Sequence, residues 1–77
     1  VVGQMSKKSG FVYFVENAGI VKIGRTNNWE RRLRQFKTTM PFMRVLTIIP
    51  TCDMCGLEAY YHKFFKSRHV RGEWYRL

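Results

Sequence analysis

Two short runs of β-branched and aromatic residues most restrict the fold of this chain. They span residues 11–15 (FVYFV) and 20–24 (IVKIG), and a four-residue connection that contains asparagine and glycine joins them. Runs of this kind with such a connection predict an antiparallel hairpin. Because side chains alternate along a strand, Val12 and Phe14 are expected on one face and the odd-numbered residues of the first run on the other.

The rest of the chain predicts two helices and one further strand. Short oxygen-bearing side chains at 26–28 and 51–53 are typical of helix starts. Trp29, Leu33 and Phe36 would form an inward stripe on the first helix. The predicted segments are a helix over 29–36, a strand over 43–49 ended by Pro50, a helix over 54–67, and a short strand or packed extended segment over 72–77. The predicted fold class is therefore α+β, a three-stranded antiparallel sheet flanked by helices in the order ββαβα.

The size of the chain allows one domain. With 77 residues, only about 60% of the surface of the unfolded chain can be buried, which is enough for one core. Residues 10–77 are predicted to form that domain, and residues 1–9 a disordered lead-in or residues left from cloning. Two cysteines cannot build a multi-disulfide secreted scaffold, and the sequence has neither a signal-peptide pattern nor a run of about 20 apolar residues. We therefore expect an intracellular domain, cytoplasmic or nucleoid-associated.

The charge balance predicts an anionic partner. The chain has 14 Lys and Arg against 5 Asp and Glu, which gives a formal net charge of +9. Clustered basic side chains release counterions from phosphates, so DNA is the first candidate, and RNA is not distinguished from it. No membrane or protein partner is implied, and ordinary solubilising charge is the alternative. The candidate nucleic-acid contacts are Arg25, Arg31, Arg34, Lys37, Arg44 and Lys63.

Two residues of the predicted second helix offer a metal site. Glu58 and His62 are four positions apart, so they share one helix face. A carboxylate is the ligand type that Mg²⁺ prefers, and phosphate and water can complete its shell at a nuclease site, where the histidine could orient water or contact phosphate. Each residue also has a structural alternative. Glu58 could form a surface ion pair, and His62 could pack beside aromatic residues.

Two other side chains suit phosphate chemistry. Arg32 has a guanidinium shaped to hold phosphate with two hydrogen bonds, although a basic pair on a short helix is often a solvated face. Tyr13 could direct its hydroxyl at an attacking water, or it could be an ordinary core tyrosine of the first strand. Composition does not decide between these interpretations.

A Cys-x-x-Cys pair, Cys52 and Cys55, followed by His62 and His69, invites a zinc interpretation. Six residues separate Cys55 from His62 and six separate His62 from His69, whereas zinc fingers use about 12 and then 3–5. Two reduced cysteines at a helix start are the preferred interpretation, because no thioredoxin-like pattern surrounds them. A small zinc-stabilised interaction domain is the alternative from another class.

The order of these residues along the chain resembles the GIY-YIG nuclease superfamily. The matching elements are FVY at 11–13, KIG at 22–24, the first-helix Arg32 and the second-helix Glu58. The segment VKIGRT at 21–26, together with GEWY at 72–75, is similar to the small phage-type DNA-binding branch of that superfamily. The resemblance covers about residues 10–77.

The resemblance implies a three-stranded sheet with flanking helices and a DNA endonuclease that uses one divalent metal, Mg²⁺ or Mn²⁺. It implies that Glu58 anchors the metal, Tyr13 helps to activate water and Arg32 steadies the scissile phosphate. Lys22 stands in place of the second-motif tyrosine, and a lysine there could hold phosphate or, as the alternative, act as a base. The late asparagine of larger relatives has no evident counterpart, and Glu73 is the nearest polar candidate. The alternative is a non-catalytic nucleic-acid-binding module on the same fold.

Overall fold

The predicted hairpin forms the centre of a five-stranded sheet in the computed structural model, which describes residues 7–77. All neighbouring strands are antiparallel, in the spatial order β3-β1-β2-β5-β4. The strands are β1 (Gly10–Asn17), β2 (Ile20–Thr26), β3 (Arg44–Thr51), β4 (His69–Arg71) and β5 (Trp74–Tyr75). The helices are α1 (Trp29–Thr39) and α2 (Met54–Phe64), and a short 3₁₀ helix (Lys66–Arg68) precedes β4.

The prediction of a three-stranded sheet in the order ββαβα is wrong, because the tail adds two strands and makes the order ββαβαββ. β5 pairs with β2 through Val21–Tyr75 and Lys22–Trp74, and β4 pairs with β5. Strands of two and three residues are too short to show an alternating pattern. Only the pairing of β5 with the free side of β2, and of β4 with β5, defines them. Among the described strands, the pairing of β5 with β2 reaches only as far as Lys22, and it leaves the later half of β2 uncovered on that side.

The β1–β2 connection has the conformation that a tight hairpin needs. Ala18 and Gly19 form its two-residue loop, with φ of 55° and 84°. Two consecutive residues with positive φ match the right-handed twist of the flanking strands, and glycine adopts this conformation without a Cβ penalty. The loop fixes the register, in which Tyr13 lies opposite Gly24.

One helix covers each face of the sheet, as the alternation along β1 predicts. Val12 and Phe14 lie in a core cluster that packs against α2. Tyr13 and Val15 lie in a second cluster with Phe36 of α1. The sheet is therefore the middle layer of three, and side chains from its two faces can meet only at an edge or at the strand ends.

Three predicted boundaries are corrected. α1 begins at Trp29 as predicted, where the Asn28 side chain accepts from a first-turn amide at 3.0 Å, but it ends at Thr39 instead of residue 36. α2 ends at Phe64 instead of residue 67, because the chain there tightens into the 3₁₀ helix. β3 continues through Pro50, since it is an edge strand in which a missing N–H removes no ladder bond.

The predicted lead-in, residues 1–9, lies partly outside the described residues, which begin at residue 7. The Lys8 carbonyl accepts a hydrogen bond from the Met54 amide at 3.0 Å. This contact satisfies one of the free amides at the start of α2. Within residues 7–77, both α-helices have 11 residues, and no helix has the length and apolarity needed to cross a bilayer.

Candidate active site

Tyr13 is held in the middle of β1 by its strand partner and by α1. A Cβ at Gly24 would overlap the Tyr13 ring and hydroxyl, so the ring occupies space that only a glycine leaves. Arg32 donates from Nη1 to the Tyr13 hydroxyl at 3.2 Å. Burial raises the pKa of Tyr13, and the nearby Arg32 charge only partly offsets that effect. The phenol is therefore neutral at physiological pH and keeps its own proton to donate.

Glu58 of α2 is a buried carboxylate with one unused oxygen. Its side chain is 6% exposed, and its Oε1 accepts a hydrogen bond from Nη1 of Arg25. This hydrogen bond and the Glu58 charge raise the pKa of Arg25. The other oxygen, Oε2, has no hydrogen-bond partner among the described residues. A buried polar atom without a partner costs about 1–3 kcal/mol, and a charged one more, so a cation bound at Oε2 would relieve a real cost.

Glu73, in the turn before β5, brings a second carboxylate to the same place. Its Oε1 is 3.0 Å from Nζ of Lys22. Potential ligand atoms of Glu58, His62 and Glu73 all lie within 4.8 Å of one another. The backbone fixes this position, because the Glu73 carbonyl accepts a hydrogen bond from the Ile23 amide at 2.9 Å. The pairing of β5 with β2 therefore places Glu73 beside Glu58.

His62 joins α2 to β2. Its Nε2 lies 2.8 Å from the carbonyl oxygen of Ile23 and 3.9 Å from Oε2 of Glu58. A carbonyl can only accept, so Nε2 carries the proton and donates it to Ile23. The ring also packs beside Tyr75, at 5.4 Å between centroids. That nitrogen is committed to the backbone, and His62 positions the helix that carries Glu58.

One open cleft of about 370 Å³ collects the candidate catalytic side chains. It is lined by Tyr13, Arg25, Thr26, Asn27, Arg32, Met54, Glu58 and Glu73. Of the five predicted catalytic residues, three line the cleft directly; Lys22 reaches it through Glu73, and His62 through its contact beside Glu58. Three other depressions within the described chain are larger, at about 420, 440 and 550 Å³, but two contain no carboxylate and the third contains only the exposed Glu30. None of them brings two carboxylates together as the cleft does with Glu58 and Glu73, and carboxylate oxygens are the ligands that a hard cation prefers.

The predicted nucleic-acid contacts have different surroundings. Arg25 is paired with Glu58 inside the cleft. Arg44 is paired with Glu16 at the hairpin end of the sheet, with Nη2 and Oε1 2.7 Å apart. The other four are exposed on the two helices that contribute to the cleft: Arg31, Arg34 and Lys37 on α1, and Lys63 on α2.

The zinc interpretation does not fit the positions of its four residues. Cys52 and Cys55 are free thiols, and His69 contacts the Gly72 carbonyl at 2.8 Å. In the part of the chain that the structure describes, the group close enough to hold a metal is Glu58, His62 and Glu73, and neither cysteine belongs to it. A structural zinc site needs four converging ligands, and these residues do not converge.

Sequence reasoning missed the two ion pairs of the cleft, Arg25–Glu58 and Lys22–Glu73. The sequence predicts only a phosphate contact for Arg25, and it offers Glu73 only as the nearest polar candidate for the late asparagine of larger relatives. The available signal was the scarcity of acidic residues. The chain has only 5 of them, and two, Glu58 and Glu73, stand in the segments that carry the family resemblance.

Comparisons with known proteins give one family. The family model described as the T5orf172 domain matches residues 10–77. No curated protein and no solved structure gives a significant match to this sequence.

Proposed function

This chain belongs to the T5orf172 domain family, a phage-associated family related to nuclease-like folds, and from that premise we propose that it binds and cuts DNA. The proposed activity is that of a GIY-YIG-type endonuclease that hydrolyses phosphodiester bonds with Mg²⁺ or Mn²⁺. One observation carries the proposal. Tyr13, Arg32 and Glu58 come from a strand and two different helices, and they line the same open cleft.

The charge around the cleft supports binding of a phosphate backbone. The net charge of the chain is +9. The helix that carries Arg32, α1, also has exposed basic residues, including Arg31 and Arg34. Such a surface binds DNA mainly through phosphates, so its affinity falls steeply with salt. No arrangement of side chains in the cleft indicates recognition of particular bases.

The carboxylate of Glu58 fits a divalent metal. Its buried Oε2 lacks a hydrogen-bond partner in the described chain, and oxygen is the ligand that Mg²⁺ and Mn²⁺ prefer. Bound there, the metal would supply Lewis-acid stabilisation of the charge that develops on the phosphate. The chain supplies the position of the carboxylate, which depends on the His62 hydrogen bond between α2 and β2.

The remaining side chains suit distinct roles in hydrolysis. The neutral phenol of Tyr13 would orient the attacking water by a hydrogen bond, because its raised pKa disfavours a role as the base. Arg32 would hold a non-bridging phosphate oxygen and offset charge that grows in the transition state. Lys22 would contribute a second cationic contact to phosphate.

A nuclease assay with two glutamate variants tests the catalytic part. We expect the parent domain to nick plasmid DNA in the presence of Mn²⁺, and Glu58→Gln to nick it at least about 100-fold more slowly. Glu16→Gln is the matched control, because Glu16 also pairs with an arginine but lies outside the cleft. Equal cutting by the parent and Glu58→Gln would show that Glu58 is not the metal anchor.

The second candidate function is DNA binding without cleavage. The ion pairs of the cleft favour it, since Arg25 and Lys22 already neutralise Glu58 and Glu73 in part. It predicts salt-sensitive DNA binding by the parent domain and no cutting with Mg²⁺ or Mn²⁺. The same assay therefore separates the two functions.

A further inference from the structure

Both carboxylates of the cleft are paired with side chains that are also suited to bind phosphate. Glu73 pairs with Lys22, and Glu58 pairs with Arg25. Lys22 and Arg25 are not sealed inside the protein, since their side chains are 20% and 45% exposed. Each cation can therefore reach a ligand in the cleft, but only by leaving its carboxylate.

We propose that Glu73 is a second ligand of the divalent cation beside Glu58, and that Lys22 and Arg25 transfer from these carboxylates to DNA phosphates when the cation binds. The inference rests on the proposed DNA binding and deepens it, because it states how metal and DNA depend on each other. It also assigns a role to Glu73, which the sequence alone offers only as the nearest polar candidate for the late asparagine of larger relatives.

The arrangement of the acidic groups supports the assignment of Glu73 as a second ligand of the cation. Glu58 and Glu73 offer oxygens within 4.8 Å of each other, and Oε2 of Glu58 is buried without a partner in the described chain. His62 is the third member of this group, but its Nε2 donates to the Ile23 carbonyl. With Nε2 of His62 taken by Ile23, the two carboxylates are the ligands that we assign to the cation, and carboxylate oxygens suit a hard cation such as Mg²⁺ or Mn²⁺.

The transfer of Lys22 and Arg25 to phosphates follows from the charge of the bound cation. A divalent cation between Glu58 and Glu73 would take over their negative charge and repel Lys22 and Arg25. Phosphate oxygens are the acceptors that both side chains prefer when DNA enters the cleft. Metal and DNA would thus break the same two ion pairs, so that each ligand removes part of the cost of binding the other. By linkage, each raises the affinity of the other by the same factor.

The sign of this effect separates it from ordinary ion competition. Without the exchange, a divalent cation competes with the protein for phosphates and weakens DNA binding. The test is the anisotropy of a fluorescein-labelled duplex at constant ionic strength and 4 °C, with and without Mn²⁺. A gel verifies that the duplex stays intact. For the parent domain, we expect Mn²⁺ to tighten DNA binding about five-fold or more.

Two variants with the same change in net charge locate the effect. In Glu73→Gln, Lys22 is already free, so metal-free DNA binding should be tighter than in the parent and the gain from Mn²⁺ should be lost. Glu16→Gln frees Arg44 outside the cleft and should keep the full gain from Mn²⁺. Circular dichroism establishes that both variants are folded.

Binding of Mn²⁺ alone, followed by electron paramagnetic resonance, is an independent readout. Glu73→Gln should weaken Mn²⁺ binding in the absence of DNA because a ligand is lost. Lys22→Gln should strengthen it because an internal competitor is lost, and this variant keeps the test decisive if Glu73→Gln does not fold.

The outcomes distinguish this inference from the proposed function. It is overturned if Mn²⁺ weakens DNA binding by the parent, if Glu73→Gln keeps the full gain, or if Lys22→Gln leaves Mn²⁺ binding unchanged. DNA cutting together with any of these results would leave the proposed function standing. A gain from Mn²⁺ that Glu73→Gln abolishes, without any cutting, would support the exchange and remove only the nuclease activity. A parent domain that binds no DNA would overturn both.

Discussion

Replacement of Gly24 by alanine tests whether the close approach of Tyr13 to β2 holds the site together. A Cβ at this position would lie 2.9 Å from Cε1 of Tyr13 and closer to its Cζ and hydroxyl. The Tyr13 residue is 1% exposed, so the ring cannot move aside without leaving the core. Overpacking a core costs about 1–3 kcal/mol, while alanine in a strand recovers about 0.5–1 kcal/mol relative to glycine. We therefore expect Gly24→Ala to lower the free energy of unfolding by about 1–2 kcal/mol.

Urea unfolding, followed by tryptophan fluorescence, measures this loss for Gly24→Ala, Tyr13→Phe and the double variant. Tyr13→Phe removes the hydroxyl that overlaps the added Cβ, so the two changes should couple by about 0.5 kcal/mol or more. Displacement of the ring also moves the hydroxyl away from Arg32, and a shift of about 1 Å in a positioning group can reduce a rate about 100-fold. Strict additivity in the cycle, or a Gly24→Ala protein as stable and active as the parent, would refute the reasoning.

Three other measurements test separate parts of the molecule. Burial raises the pKa of both Tyr13 and Tyr75. Their contribution to the free energy of unfolding should therefore be constant below about pH 10 and be lost as the pH rises through the folded-state pKa values, because the unfolded chain releases these protons first. Urea titrations between about pH 8 and 11 check this, and an unchanged slope in Tyr13→Phe would contradict it. Arg34→Ala should reduce the slope of log affinity against log salt by about 0.9, measured by anisotropy, whereas an equal slope would mean that Arg34 touches no phosphate. Asn28→Ala removes the α1 cap and should lower Tm by about 4–8 °C, the shift expected for about 1 kcal/mol, and an unaltered calorimetric Tm would show that the cap is dispensable.

The local parts of the fold are predictable from the sequence because neighbouring residues determine them. Alternation along residues 11–15 assigns Val12 and Phe14 to one face and Tyr13 to the other, as the structure has them. Asn28 lies within the predicted start signal of α1 and is its N-cap. These features depend on strand periodicity and capping, which act over a few residues.

The distant pairings are not predictable in the same way. Trp74 and Tyr75 join the sheet only because the far side of β2 is free. A two-residue strand has no periodicity of its own, and nothing near Glu73 in sequence indicates that it meets Glu58. The same limit applies to Pro50, whose place inside a strand depends on β3 being at the edge of the sheet.

The shortness of β5 has a consequence for the main chain of β2. The Ile23 amide points away from β1 and donates to the Glu73 carbonyl at 2.9 Å. Because amides alternate in direction along a strand, the Arg25 amide points the same way, beyond the first residue of β5, Trp74, which lies opposite Lys22. A phosphodiester oxygen at that point would meet a donor that every amino acid except proline provides. The proposed nucleic-acid contact would then include a main-chain donor that substitution of the basic side chains does not remove.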